Sequence, residues 1–249
     1  MTGSPGQWPI EWLAERLDQP VERALSLGSG EGALERDLMG KGLCRSILGI
    51  DVSKAAIEIA VARAEAAGLS GVSYRRANLN HFELPAASYQ AAFAHQALHH
   101  VEDLEHCLAT VHRALVPGGF LYLDEYVGPS RSQWRHELLA SAEAVFARLP
   151  RQARRKRLQL PVDWRDPTEA IRSSEILEQA SRFFETQEQR DYGGNLLSVI
   201  YPHLRLEGLE SDQRAELLSE IIAAEKELLA SGVRSYYSVI VARRRPVAD

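Results

Sequence analysis

Cysteine is nearly absent from this chain of 249 residues. Only Cys44 and Cys107 occur, at a separation that fits neither a paired redox motif nor a zinc-ligand spacing, so nothing points to a disulfide framework or a zinc site. Aromatic residues make up 7% of the chain, and no apolar run approaches the roughly 18 to 20 residues of a membrane span. The N-terminus, MTGSPGQWPIEWL, lacks the basic start and apolar stretch of a secretion signal. An excess of positive charge is missing too. The net charge is −5, which disfavours a broad nucleic-acid footprint, because phosphate binding depends on clustered Lys and Arg. These absences predict a soluble cytoplasmic protein whose partners are small molecules or glycans rather than nucleic acid or membrane.

What is present has globular proportions, with 45% hydrophobic and 25% charged residues, and the length suits one α/β domain with an elaboration. From about Arg23 to Val127, short apolar runs alternate with helical patterns, the signature of βαβ units and a mainly parallel sheet. The strand candidates are Ala24–Leu27, Ser46–Ile50, Val72–Arg76, Ala91–Ala94 and Phe120–Asp124. Ser53–Ala67 reads as a helix capped by Ser53, with Ile57, Val61 and Ala64 on one face and Gly68 past its end. Leu104–Leu115 is a second helix, with Leu104, Leu108, Val111 and Leu115 at helical spacing before a break at Pro117, Gly118 and Gly119.

Beyond Val127 the pattern changes. Residues 129–182 read as helices and loops, a helical insertion or lid within a single domain spanning 1–249, and they include the basic run Arg151–Arg157. That run suits either a solvated helix face or an anionic acceptor. Phe183–Gln189 and Tyr236–Ala242 are two further strands, separated by a helix over Asp212–Leu229. The tail Arg243–Asp249 reads as a frayed end. Trp8 and Trp12 lie four apart, as either a packed aromatic ridge or a flap over a ligand.

The sharpest local signal is ALSLGSGEG, a strand followed by Gly28, Gly30 and Gly32. Glycines let the backbone turn tightly and approach a ligand closely, and the helix that follows offers free N–H groups. Asp51 comes nineteen residues after Gly32, at the end of the second strand, where a carboxylate accepts hydrogen bonds from ribose hydroxyls. These two features alone leave the cofactor open, since Gly28, Gly30 and Ala33 also satisfy the dinucleotide pattern.

With LSLGSGEG at 25–32, GIDVS at 49–53 and RALVPGGFLYLDE at 113–125, residues 20–127 resemble the class I S-adenosylmethionine-dependent methyltransferases. The resemblance implies a doubly wound, mainly parallel seven-stranded sheet with the helical insertion after the fifth strand. It also implies S-adenosylmethionine as cofactor and S-adenosylhomocysteine as product; the chain's acidity favours a small-molecule or glycan acceptor, with oxygen or nitrogen as the methylated atom. Cofactor contacts fall on Gly28, Ser29, Gly30, Gly32, Asp51 and Val52, with the adenine beside Asn78 and Leu79, and with His95, Gln96 and His100 from AFAHQALHHVEDL. Asn78 stands where an acid is usual, and its side-chain oxygen keeps the acceptor for the adenine amino group. Ser26 replaces the acid that opens the glycine loop and meets the cofactor's amino group in the family. His95, His99 and Glu125 are the candidates for a general base, and Tyr126, Arg131 and Trp134 for acceptor contacts. Four histidines lie between residues 95 and 106, but the carboxylates among them form no set with a clear ligand spacing, so no metal site is expected. The absence of a Tyr-x-x-x-Lys pair argues against a nicotinamide-dependent enzyme. A second reading is a cofactor-binding protein without catalysis, acting as a sensor or partner subunit. A homodimer is compatible with the sequence.

Overall fold

The computed structural model describes residues 6–134, 136–155, 157–161 and 165–246. Seven strands form one sheet in the order β3-β2-β1-β4-β5-β7-β6. They are β1 (Ala24–Leu27), β2 (Ile47–Asp51), β3 (Val72–Arg76), β4 (Tyr89–His95), β5 (Leu115–Tyr126), β6 (Phe184–Asp191) and β7 (Tyr237–Arg244). The first five are parallel, and β7 runs antiparallel between β5 and β6. All seven predicted strands are present. Arg243 and Arg244, expected to fray, instead pair with Phe120, Glu185 and Phe184, while residues 247–249 lie outside the described residues.

The alternation of the strand residues builds two cores. Ala24, Ile47, Ala91, Phe93, Phe120 and Tyr122 face one side, under α1 (Pro9–Ala14) and α2 (Ala33–Gly40). Leu25, Leu27, Ile50, Ala92, Ala94, Leu121 and Leu123 face the other, under α4 (Leu104–Ala114) and α6 (Ile176–Phe183). Side chains at successive positions of a strand point to opposite faces, so one run of apolar residues feeds both layers. The helix between β2 and β3, α3 (Lys54–Ala66), is capped by Ser53, whose hydroxyl accepts the Ala56 N–H at 3.2 Å. Its buried stripe is not the expected one. Ala60 and Ala64 are buried while Val61 is exposed, so the inward stripe runs through Ile57, Ala60 and Ala64, a spacing as helical as the one through Val61.

The Pro117–Gly119 break lies inside β5 rather than before it. Tyr89 pairs with Leu115 and Ala91 with Phe120, so residues 116–119 bulge out of register and the strand resumes. Residues 129–182 do carry helices, but they divide between two structures. α6 joins the main core through Ile176 and Ala180. α5 (His136–Arg148) packs instead on α7 (Leu197–Ile200) and α8 (Ser211–Ala230), both from the β6–β7 connection, through Ala142, Val145, Leu149, Val199, Ile200 and Ile221. The helical cap is thus assembled from two connections. No helix among the described residues is long and apolar enough to cross a membrane.

Register fixes where a ligand can sit. Leu27 aligns with Ile50 and Ala94, and His95 with Asp124, so the glycine loop, Asp51, His95 and Asp124 all lie at the carboxyl edge. Strand order reverses between β1 and β4, and such a switch point opens a crevice.

Trp12 belongs to the core, almost fully buried, with the Arg16 guanidinium 4.1 Å from its ring centroid, whereas Trp8 is 73% exposed. The pair therefore forms no common ridge. Trp12→Ala should cost about 3–5 kcal/mol in urea unfolding through the cavity it leaves, whereas Trp12→Phe should cost much less, since the indole N–H has no hydrogen-bond partner.

Candidate functional site

Three positive φ angles shape the loop after β1: Gly28 at 67°, Gly30 at 51° and Gly32 at 77°. A side chain at Gly28 would meet the Ala97 Cβ at 2.4 Å, and one at Gly32 the Tyr74 hydroxyl at 2.2 Å, but at Gly30 nothing lies within 4 Å. Two glycines are demanded by the protein's own packing. The third faces open space, as a loop does where a ligand approaches its backbone.

Asp51 holds this loop. Its Oδ2 accepts the Gly30 N–H and its Oδ1 the Ser53 N–H, both at 2.8 Å. Carboxylate oxygens carry further lone pairs, so the half-buried group retains acceptors for a diol. Beside it Val52 is 59% exposed and offers apolar contact. Ser29 is buried, its backbone N–H bonded to the Ile50 carbonyl at 2.9 Å and its hydroxyl without a partner. Asn78 is exposed, and its Oδ1 already accepts from the Asn80 N–H and side chain at 2.9 and 3.1 Å, so accepting a hydrogen bond from an adenine amino group requires the Asn80 side chain to yield. Leu79 is half-buried against the main core. A glycine cradle with one open face, a carboxylate diol acceptor and unpartnered buried polar groups fit an adenosyl amino acid.

The ends of β4 and β5 carry the charged groups. Glu125 is fully buried, and its Oε2 accepts the N–H groups of Ala97 and Leu98 at 2.8 and 2.7 Å. Its Oε1 accepts the Tyr126 N–H at 2.8 Å and faces His99 Nδ1 at 2.6 Å. Burial alone would lower the His99 pKa, but the Glu125 carboxylate more than offsets that and leaves it above the ordinary value. A parallel chain joins His95 Nδ1 to Asp124 Oδ2 at 3.2 Å, and Tyr192 donates to Asp124 Oδ1 at 2.6 Å. The Asp124 carboxylate raises the His95 pKa. Gln96 sits between the two chains at φ 50°, an unusual backbone for a residue with a side chain, with its N–H on the Asp124 carbonyl at 2.9 Å.

A cavity of about 520 Å³ opens against this edge, lined by Gln96, His99, Tyr126, Trp134, Tyr192 and Tyr237 among others. Of the expected acceptor residues, Tyr126 and Trp134 are in its wall. Arg131 is not, for its guanidinium donates to the Asp166 carbonyl at 2.9 Å and its N–H to that of Ala170 at 2.8 Å, which pins the 166–170 segment. That segment brings Glu169 into the same wall, with Oε2 3.8 Å from His99 Nε2 and 3.6 Å from His100 Nε2. The histidine pair therefore has a neighbouring carboxylate, contrary to the expectation from sequence, and His99, His100 and Glu169 each place one polar atom within 4.8 Å of the others. His100 Nδ1 lies 3.1 Å from the Thr168 hydroxyl, so His100 ties this segment down and contacts the cap. None of Arg151, Arg154, Arg155 and Arg157 lines the aromatic cavity, and Lys156 lies outside the described residues.

Sequence reasoning missed Asp124, Glu169, Tyr192, Tyr237 and Glu35. Only Asp124 carried a signal, an acid at the end of a strand that shares an edge with the glycine loop.

The seven-stranded order with an antiparallel β7 is typical of the class I methyltransferase fold. Residues 25–123 match the family model described as a methyltransferase domain. One curated relative, the ubiquinone biosynthesis O-methyltransferase of Hahella chejuensis, is 28% identical over 57% of this chain and 58% of its own length. The chain thus matches somewhat over half the length of that relative. Among solved structures, a S-adenosylmethionine-dependent methyltransferase from Mesorhizobium loti is similar at TM-score 0.54 and 23% identity, covering 94% of this chain and 97% of that one. The [4+2]-cyclase SpnF is similar at TM-score 0.58 and 20% identity, covering 98% and 85%.

Replacing Glu125 by Gln puts an amide N–H₂ where backbone donors already converge. Glu125→Gln should lower stability to urea by about 3 kcal/mol, while Glu169→Gln, at the cavity wall, should change it by less than about 0.5 kcal/mol.

Proposed function

We propose that the protein transfers a methyl group from S-adenosylmethionine to a hydroxyl of a small, largely apolar acceptor held in the aromatic cavity. The observation that carries this reading is His99, backed by the buried Glu125 carboxylate and facing a cavity of about 520 Å³ that adjoins the edge bearing the glycine loop. A cavity of that size lined by aromatic rings suits a small molecule. The O-methyltransferase among the relatives agrees with oxygen as the accepting atom.

Residues Gly28–Gly32, Asp51, Val52, Asn78 and Leu79 would hold the cofactor, which supplies an already electrophilic methyl on a sulfonium. The chain's own task is then to align the acceptor oxygen in line with that methyl and to exclude water. Tyr126, Trp134, Tyr192 and Tyr237 position the acceptor. As the new C–O bond forms, His99 Nε2 takes the hydroxyl proton, and Glu125 stabilises the resulting imidazolium through Nδ1. His95 is less suited, since its half-exposed ring is tied to Asp124 outside the cavity wall. It orders Asp124 and, through it, Tyr192.

One observation favours a second reading, cofactor binding without methyl transfer: Ser26 stands where the glycine loop's acid is usual. Both readings predict binding of S-adenosylhomocysteine, and only the first predicts turnover.

Calorimetric titration should give micromolar binding of S-adenosylmethionine and S-adenosylhomocysteine and none of NAD(P)H, with binding lost in Gly30→Val and Asp51→Ala. Absence of adenosyl binding in the parent protein sinks the reading. In a screen of phenolic and alcoholic acceptors, His99→Gln should lower kcat about 10²-fold with S-adenosylhomocysteine affinity kept. The base must be neutral and its pKa is raised, so kcat/KM should climb with pH through a value above the ordinary histidine pKa of about 6.5. Turnover should survive a chelator, whereas its loss would assign His99, His100 and Glu169 to a metal ion instead.

A further inference from the structure

Four carboxylates are buried among the described residues: Glu35, Asp124, Glu125 and Glu225. Three are engaged. Asp124 meets Tyr192 and His95, Glu125 takes three backbone N–H groups and faces His99, and Glu225 accepts the N–H groups of Gly194, Leu196 and Leu197 at 2.7 to 3.0 Å. Glu35 is fully buried, and neither of its oxygens has a hydrogen-bond partner. A buried ionised group without a partner is costly, and such groups in native proteins mark a function or a missing ligand.

The position of Glu35 says which ligand. It is the third residue of α2, the helix that the glycine loop feeds. Burial pushes its carboxyl up, and the nearby Asp51 carboxylate adds to that rise. Its charge is also felt by Tyr74 and by His95 at the end of β4. The group therefore lies among the ends of β1, β2 and β4, at the ligand edge. Two more side chains against the loop, Ser29 and Tyr74, have buried hydroxyls without partners. Ser26, almost fully buried in β1, carries no charge to meet a cation here.

We infer that Glu35 supplies the carboxylate that Ser26 lacks, accepting hydrogen bonds from the ammonium group of the cofactor's amino-acid end. This rests on the adenosyl-cofactor reading above. An ammonium brings three donors and a positive charge, which satisfies both orphaned oxygens at once. The anion is thereby supplied from the first turn of a helix, where negative charge is favoured, rather than from the strand. Ser26 and Glu35 then form one unit, with the small hydroxyl leaving room for the longer side chain.

The test compares S-adenosylhomocysteine with 5′-methylthioadenosine, which keeps the adenosine and thioether but has no amino-acid end. Calorimetry at neutral pH should show Glu35→Gln binding S-adenosylhomocysteine about 10- to 100-fold more weakly, with 5′-methylthioadenosine affinity unchanged. Adding Ser26→Asp to Glu35→Gln should restore most of the loss. The unliganded Glu35→Gln protein should melt at the same or a higher temperature, because a carboxyl raised by burial destabilises the folded parent as pH climbs past the ordinary carboxylate pKa, and the amide does not titrate. Equal S-adenosylhomocysteine affinity in the parent and Glu35→Gln overturns the inference and leaves the cofactor reading standing. An equal loss for both ligands also overturns it, by showing that Glu35 merely supports the loop. Failure of the parent to bind either ligand sinks the cofactor reading itself. Should Glu35→Gln not fold, the parent alone decides, since it must bind deaminated S-adenosylhomocysteine at least about tenfold more weakly than S-adenosylhomocysteine, and equal affinities overturn the inference.

Discussion

The Glu125 carboxylate has given up all contact with water, and what replaces it organises the reactive edge of the sheet. Three backbone N–H groups and one imidazole converge on its two oxygens. Two of those N–H groups, from Ala97 and Leu98, belong to the turn that leaves β4, and the third belongs to Tyr126 on β5 itself. One side chain therefore holds the exit of β4 against β5 and at the same time fixes the His99 ring. Ala97, so held, is the residue whose Cβ forbids any side chain at Gly28. The glycine loop and the His99 ring are positioned by the same buried charge, and neither can shift without disturbing the other.

Much of this was legible in the sequence because it is local. A strand, a glycine-rich turn and an acid at the next strand's end lie within thirty residues, and their spacing is set by one βαβ unit. The strand-end position of His95 and the adjoining His99 followed from the same reasoning. What was not legible depends on distant segments meeting. Glu169 reaches the histidine pair only because Arg131 and the His99 carbonyl pin the 166–171 segment. Tyr192 reaches Asp124 only because β6 returns beside β7. The cap misled for a related reason: helical periodicity identifies α5 and α6 equally well, but not that one joins α7 and α8 while the other joins the main core. The Val61 error was smaller in kind. Alanines carry little hydrophobic signal, so the stripe through Ala60 and Ala64 was invisible beside a more apolar neighbour.

A fold shared with a cyclase and with methyltransferases cannot by itself name a reaction. The two compartments differ in chemistry. The glycine loop, Asp51 and the unpartnered hydroxyls of Ser29 and Tyr74 are polar and shaped by backbone, as a site for a polar cofactor must be. The cavity beyond Gln96 is aromatic, with His99 and Glu169 as polar groups in its wall. Such a division fits a reaction in which one partner is bound by many hydrogen bonds and the other mainly by shape.

Between the compartments stand the two parallel chains, His95–Asp124–Tyr192 and His99–Glu125, one residue apart along β5. Adjacent strand residues point to opposite faces, so the two acids are directed apart. Asp124 reaches Tyr192 in the cap, and Glu125 reaches back beneath the turn after β4. The first chain fastens the segment after β6 to the sheet edge and the second fixes the His99 ring. Closing the cavity and fixing that ring are therefore achieved by neighbouring residues on a single buried strand. The 124–125 acid pair shows why a strand end is a better foundation for such a site than a loop: its backbone is already fixed on both sides, by β4 and by β7, before any side chain is asked to do chemistry.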